Sequence, residues 1–134
     1  MTVFDPDEVL VVAQHLLTRN DEASNRSAVS RAYYGVFLRA RDMANISDRH
    51  PKVHRWTLEH YEREGEKALA KNLRLLRESR NDADYATDRH VSQQDTDDAM
   101  RRSRQIRAQL QVIAGREKYR LERGNKVATT NPPA

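Results

Sequence analysis

The sequence contains no cysteine, and only four of its 134 residues are glycine and four are proline. Without cysteine the chain can form neither a disulfide bond nor a thiolate metal site, which fits a reducing compartment. It has no uncharged apolar run of about 20 residues, the length that crosses a bilayer. The segment Met1–Glu8 lacks the basic start and apolar run of a signal peptide. We therefore expect a cytoplasmic protein with no membrane contact.

The chain is also poor in apolar side chains. They make up 37% of the residues before the four glycines are counted, whereas an average globular protein with glycine included reaches about 45–50%. The length fits one domain. An all-helical domain with so thin a core often buries part of its apolar surface against a second copy, so we predict a homodimer.

Net positive charge is concentrated at the C-terminal end of the sequence. Residues 116–134 carry five basic side chains against two acidic ones, which accounts for most of the net charge of +4. The remaining body of the protein is nearly neutral. Proteins that bind duplex DNA usually carry a basic stripe on the folded body, so we do not expect sequence-specific DNA binding.

Helical periodicity runs through most of the chain, and no segment has a convincing strand pattern. We predict an all-α fold, an up-and-down bundle of four long helices and one short helix. The long helices are expected at about 5–20, 22–46, 66–81 and 92–115, and the short one at about 50–65, ending near Gly65. Residues 82–91 are predicted as a loop or frayed end, and Ser92 and Asp95 have the spacing of a capping box.

This organisation divides the chain into two parts. Residues 1–115 are predicted to form the bundle, with Gly115 as a plausible helix stop. Residues 116–134 are predicted as a basic extension in which the helix continues for a few residues. From Gly124 onward the composition is that of a disordered tail.

One helical stripe ends in an unexpected residue. Leu69, Leu73 and Leu76 step along one face of the fourth helix, and the next step falls on Arg80. A guanidinium cannot lose its proton, and burying it without a polar or acidic neighbour costs several kcal/mol. If the helix persists for one more turn, Arg80 and Asp84 are i,i+4 neighbours and can pair.

Asn81 and Tyr85 have the same i,i+4 spacing beside that pair. These four side chains form the strongest candidate site in the sequence. The simpler interpretation is an ordinary arginine at a helix end, with a surface ion pair and a tyrosine packed on the end of the bundle. Periodicity alone favours that simpler interpretation.

Two other patterns favour structural explanations. His50 and His54 have an i,i+4 spacing known from metal sites, with His60 nearby, but no carboxylate or third histidine falls on the matching face. We predict no metal and no cofactor. The series Lys71, Arg74, Arg77 and Arg80 winds around the fourth helix, as expected for a solvated basic face.

The residues of two segments resemble motifs of the HEPN superfamily, the small all-helical domains found in prokaryotic toxins, defence systems and CRISPR effectors. The first segment is Ser30-Arg31-Ala32-Tyr33-Tyr34 followed by Phe37, which is similar to the second-helix signature of short stand-alone members. The second is Arg80-Asn81-Asp82-Ala83-Asp84-Tyr85, which resembles the arginine motif in a variant that ends in Ala-Asp-Tyr. The resemblance covers about Asp5 to Ile113.

The resemblance implies a chemistry and a site. In nuclease members a histidine follows the arginine motif after four to six residues, and two protomers join these residues in a cleft where RNA is cut without metal by its own 2′-hydroxyl. Here the residue that follows Arg80 after four intervening residues is Tyr85, and the first histidine, His90, follows after nine. A phenol with a pKa near 10 is a poor general base at neutral pH. The implied catalytic residues are Arg80, Asp84 and Tyr85, and the implied RNA- or partner-binding residues are Arg31, Tyr34, Asn81 and His90.

Three functions follow as expectations. The first is a HEPN-like homodimer whose cleft binds RNA or a nucleotidyltransferase partner, in a toxin–antitoxin or defence context, with weak or no nuclease activity. The resemblance also implies that a minimal nucleotidyltransferase acts as antitoxin and adds AMP to a motif tyrosine, here Tyr85. The alternatives are an active metal-independent endoribonuclease and a non-catalytic helical adaptor.

Overall fold

A computed structural model of the chain describes residues 4–47 and 49–130, with side chains as far as Glu122. Within these ranges the protein is all-helical, as predicted, with five helices and no strand. The helices are α1 (Asp7–Leu17), α2 (Glu22–Met43), α3 (Val53–Arg63), α4 (Lys67–Tyr85) and α5 (Gln93–Thr130). None of them is both long enough and apolar enough to span a bilayer.

Side-chain caps mark the starts of α2 and α5. The carboxylate of Asp21 accepts a hydrogen bond from the Ser24 backbone N–H at 2.7 Å at the start of α2. The predicted capping box is present ahead of α5, where Ser92 and Asp95 exchange hydrogen bonds of 3.0 and 3.1 Å. Gly65 has a φ of 79° between α3 and α4, a conformation that glycine adopts without strain.

The central element is α2, which contacts each of the other four helices. Paired contacts show that α4 runs antiparallel to it, because Ser30 bonds Asp84 whereas Tyr34, farther along α2, bonds the earlier residue Arg80. At α1, the close approach of Leu10 to Gly35 fixes how near the two helices lie. The long apolar core lies where α2 meets α4 and α5.

Helix α3 departs from simple alternation. Tyr33 and Ala40 of α2 contact His54 and Tyr61 of α3 in the same order, so these two helices run parallel. The up-and-down succession therefore holds for α1, α2, α4 and α5, and α3 lies in the crossover between α2 and α4. This position brings α3 against the same part of α2 that faces α4.

Three helix lengths differ from prediction. α1 has 11 residues, the same as α3, so the bundle has three long helices rather than four. α4 continues to Tyr85, through part of the predicted loop. α5 passes Gly115 and remains helical over 124–130, where a disordered tail was predicted, because a glycine costs a helix only about 1 kcal/mol. The rest of that predicted tail, residues 131–134, lies outside the described residues.

Candidate functional site

The end of α4 is held by an arginine from α2. The guanidinium of Arg26 donates hydrogen bonds to four backbone carbonyls around this end, and its side chain is only 19% exposed. The carbonyls belong to Asp82, Ala83, Ala86 and Arg89. The last carbonyls of a helix lack partners within it, so this contact explains why α4 continues to Tyr85.

Arg26 was not recognised by sequence analysis as part of the site. The available signal was its spacing, since Arg26, Ser30 and Tyr34 step by four along one face of α2. All three contact α4. An arginine at the start of such a stripe indicates a polar contact between helices, but nothing local indicates that its partners are carbonyls.

Arg80 lies at the centre of the contact between α2 and α4, with a side chain that is 13% exposed. One terminal nitrogen donates to the hydroxyl of Tyr34 at 2.6 Å, and the other donates to Oδ1 of Asn81 at 2.9 Å. Its Nε lies 2.9 Å from Oδ2 of Asp84, close enough for an ion pair but without the alignment of a hydrogen bond. The predicted i,i+4 pair is therefore present, and all three nitrogens have a neighbour.

Two tyrosine rings flank this guanidinium. The central carbon of Arg80 lies 5.0 Å from the ring centre of Tyr34 and 5.7 Å from that of Tyr85, within the range of cation–π attraction. Tyr85 is 72% exposed. Ser30 completes the group with a hydrogen bond of 3.2 Å to Oδ2 of Asp84. We call Ser30, Tyr34, Arg80, Asn81, Asp84 and Tyr85 the arginine cluster.

Two residues of the predicted site lie outside this cluster. Arg31 is exposed and has no hydrogen bond or ion pair with any described residue. His90 is 71% exposed, and its Nδ1 lies 3.1 Å from Oε2 of Glu22 at the start of α2. Glu22 and Tyr34 are twelve positions apart on α2, about 18 Å along a helix. Among the described residues, His90 makes no direct contact with the arginine cluster.

A different histidine lies beside the cluster. His54 of α3 stacks on Phe37 with ring centres 4.1 Å apart, and its Nδ1 is 2.6 Å from the hydroxyl of Tyr33. Burial, together with the positive charges of Arg77 and Arg80, lowers the pKa of His54 to about 4. Burial also raises the pKa of the Tyr33 hydroxyl. His54 is therefore a neutral imidazole at pH 7.

The other two histidines considered as metal ligands have separate surroundings. His50 stacks on Trp56 at 5.0 Å, and His60 meets the edge of Tyr61 at 4.9 Å. Over the part of the chain that the structure describes, no three or more histidine or acidic side chains are grouped so that they could hold a metal ion.

The arginine cluster can therefore present a fixed cation and an exposed aromatic ring side by side, with one carboxylate nearby. Comparison of the chain with family models, with curated proteins and with solved structures found no match in any of the three. The chemistry of the site consequently rests on its geometry.

Proposed function

We propose that the protein is a HEPN-like homodimer that binds RNA through the arginine cluster, in a toxin–antitoxin or defence context, with weak or no nuclease activity. The observation that carries this proposal is the exposed ring of Tyr85 beside the fixed guanidinium of Arg80. The resemblance of the two motifs to the HEPN superfamily supplies the dimer and the biological context.

The guanidinium is fixed before any ligand arrives. Tyr34, Asn81 and Asp84 occupy its three nitrogens, so little side-chain freedom remains to be lost on binding. Asp84 balances its charge locally. A phosphate would therefore interact with an arginine that is already positioned but partly neutralised, which supports selective and moderate binding rather than strong non-specific attraction.

Tyr85 supplies the surface on which a base can stack. Its ring is exposed, and stacking of one base on an aromatic side chain is worth about 1–3 kcal/mol without requiring a particular sequence. Single-stranded RNA offers unstacked bases for such a contact, whereas duplex DNA does not. This agrees with the near-neutral body of the protein.

The protonation chemistry supports binding over cleavage. The imidazole of His54 is buried and bonded to Tyr33 at Nδ1, and His90 is held at Glu22. Within one chain, neither imidazole makes a direct contact with the guanidinium of Arg80 among the described residues. The remaining group is the phenol of Tyr85, which is a weak base at neutral pH.

The test compares Tyr85→Ala with Tyr119→Ala, an exposed tyrosine of α5, in fluorescence anisotropy with a labelled single-stranded RNA. We expect Tyr85→Ala to weaken binding by about 5- to 100-fold with little change in Tm, because the ring is 72% exposed and its contact with Arg80 is worth only about 0.5–1 kcal/mol at such a site. Equal affinities for the two variants would contradict the proposal. In parallel, loss of total-RNA cleavage in Arg80→Ala would favour the endoribonuclease instead.

The exposure of Tyr85 also favours the nucleotidyltransferase partner, since an acceptor hydroxyl must be accessible. We expect an AMP adduct on Tyr85 after co-expression with a minimal nucleotidyltransferase, with Tyr85→Phe unmodified. Mass spectrometry of the intact protein measures this directly. An adduct that persists in Tyr85→Phe would assign the modification elsewhere.

The adaptor function is favoured by one observation, the complete set of neighbours around Arg80 within its own chain. If that role is the correct one, Arg80→Ala lowers the free energy of unfolding and leaves RNA affinity at the level of Arg104→Ala, an exposed arginine on α5. Arg80→Lys then lowers the free energy of unfolding as well, because an ammonium cannot reproduce the planar contacts.

A further inference from the structure

Arg77, one turn before Arg80 on α4, is a partly buried guanidinium whose charge is not matched. Its Nε is buried and has no hydrogen-bond partner, and no ion pair forms to it from any described residue. Arg26 and Arg80 are similarly buried, but each has both an acidic neighbour and further polar partners. An unpaired buried donor on a charged group is costly, so a ligand that accepts a hydrogen bond there would remove that cost.

A small pocket opens at this side chain. It lies between α2, α3 and α4, has a volume of about 40 Å³ and is lined by residues that include Tyr33, Phe37, His54, Leu73, Arg74 and Arg77. We call it the α3–α4 pocket. One water needs about 10–15 Å³ of such space, so the volume suits a tetrahedral anion or one phosphate group.

The charge of the lining selects the sign of the ligand. Arg74 and Arg77 both border the pocket, and no acidic residue lines it. Neither arginine forms an ion pair with a described residue. The side chains of Tyr33 and His54 supply a neutral polar wall. Two guanidinium groups without a counterion, around a space of this size, suit an oxyanion.

We propose that the α3–α4 pocket binds a single phosphate group through Arg74 and Arg77. The proposal stands on these residues and does not require the arginine cluster to bind RNA. The phosphate can belong to an RNA backbone or be free in solution. In the first case the pocket extends the proposed RNA surface, since Arg77 and Tyr85 are eight residues apart on α4, about 12 Å.

Inorganic phosphate is the probe for the first arm of the test. Added to the full-length protein at pH 7, with sodium chloride of equal ionic strength as reference, about 10 mM phosphate should raise Tm by about 3–6 °C if the dissociation constant is near 1 mM. The same titration should shift the imidazole NMR signals of His54 saturably. A response no larger than that to chloride would overturn the proposal.

Three variants locate the effect. Arg77→Gln and the exposed Arg74→Gln should each reduce phosphate affinity at least tenfold, whereas Arg104→Gln on α5 should retain it. Arg77→Gln should also keep or raise Tm in phosphate-free buffer, because it removes an unmatched buried charge. Equal loss in all three variants would show general charge attraction and reject the pocket.

A labelled single-stranded RNA provides the second arm. If RNA competes with phosphate for the His54 signal in the wild type and in Tyr85→Ala, the pocket takes a backbone phosphate. If phosphate binds and RNA does not, the pocket stands while the proposed RNA function fails. If RNA binds through Tyr85 and phosphate produces no saturable shift, the RNA function stands and the pocket proposal fails.

Discussion

Three partly buried arginines, Arg26, Arg77 and Arg80, illustrate at the residue scale how one side-chain type takes different roles. Arg26 meets backbone carbonyls and a carboxylate, and Arg80 meets a hydroxyl, an amide and a carboxylate. Arg77 has no such partners among the side chains described. Because a guanidinium stays charged at any relevant pH, its neighbours decide whether it stabilises the fold or is available to a ligand.

Replacing Arg26 tests the first role. We expect Arg26→Met to lower the free energy of unfolding by about 2–3 kcal/mol, because the carbonyls at the end of α4 lose a charged donor while the apolar stem is retained. Arg101→Met is the control, since Arg101 is 64% exposed and pairs with Asp98 on the surface. That change should cost less than about 1 kcal/mol. Similar urea midpoints for the two variants would show that the contacts of Arg26 with the carbonyls at the end of α4 do not stabilise the fold.

His54 gives the molecule a pH dependence of known sign. Its pKa is 6.5 in the unfolded reference and about 4 in the fold. Between these values the unfolded chain binds a proton that the folded chain does not, so stability falls as the pH falls through this window. The loss amounts to roughly 2–3 kcal/mol.

Urea unfolding at pH 7 and pH 4.5 measures this loss. His54→Gln should make the difference between the two pH values smaller by about 2 kcal/mol, because glutamine does not titrate. His15→Gln, at an exposed position on α1, should leave the difference unchanged. A wild-type slope in the His54 variant would place the pH dependence in other groups.

Packing at the element scale depends on a glycine in α2. A Cβ built on Gly35 would lie 2.6 Å from Cδ2 and 2.7 Å from Cγ of Leu10, so α1 can approach α2 closely only because no side chain is present there. The other glycine within a helix and with described surroundings, Gly115 in α5, would meet nothing within 4 Å. Substitutions at these two positions therefore distinguish the effect of helix propensity on stability from the effect of helix packing.

Alanine at these two sites should change stability in opposite directions. Gly115→Ala is expected to raise the free energy of unfolding by about 0.5–1 kcal/mol through helix propensity alone. Gly35→Ala is expected to lower it by about 1–3 kcal/mol, because overpacking against Leu10 outweighs the same gain. Thermal unfolding measures the stability of both variants. A Gly35→Ala variant more stable than the wild type would show that α1 can move away from α2 at no energetic cost.

Surface composition matters at the scale of the whole molecule. Val11, Val12 and Val112 are 51%, 49% and 61% exposed in the single chain, although the chain is short of apolar residues. A protein that leaves branched apolar side chains in water while its core is thin has surface available for a second copy. These positions are therefore where the proposed homodimer can be tested.

Sedimentation equilibrium tests this prediction. At 10–50 micromolar protein, about the range expected to populate a weak dimer, we expect a mass twice the 15.6 kDa of one chain. Val112→Lys places a charge at an exposed apolar position of α5. It should shift the equilibrium toward monomer without lowering the stability of the bundle. A wild-type mass of one chain over the whole range would remove the homodimer and the shared cleft with it.

Local sequence was sufficient for the features that arise within about one helical turn. The helix starts, the capping box before α5 and the ion pair between Arg80 and Asp84 all join residues two to four positions apart. The buried leucine stripe of α4 follows from helical periodicity in the same way. Such features depend on backbone geometry that every helix shares, and they could be predicted for that reason.

Tertiary structure decided which of these features meet. The bond from Arg80 to Tyr34 joins residues 46 apart in sequence, and the contacts of Arg26 with the end of α4 join residues 56 to 63 apart. The same packing places His90 against Glu22 and makes His54 a neutral neighbour of the cluster. Burial and charge depend on everything that surrounds a side chain, and those surroundings exist only once α2, α3 and α4 have packed together.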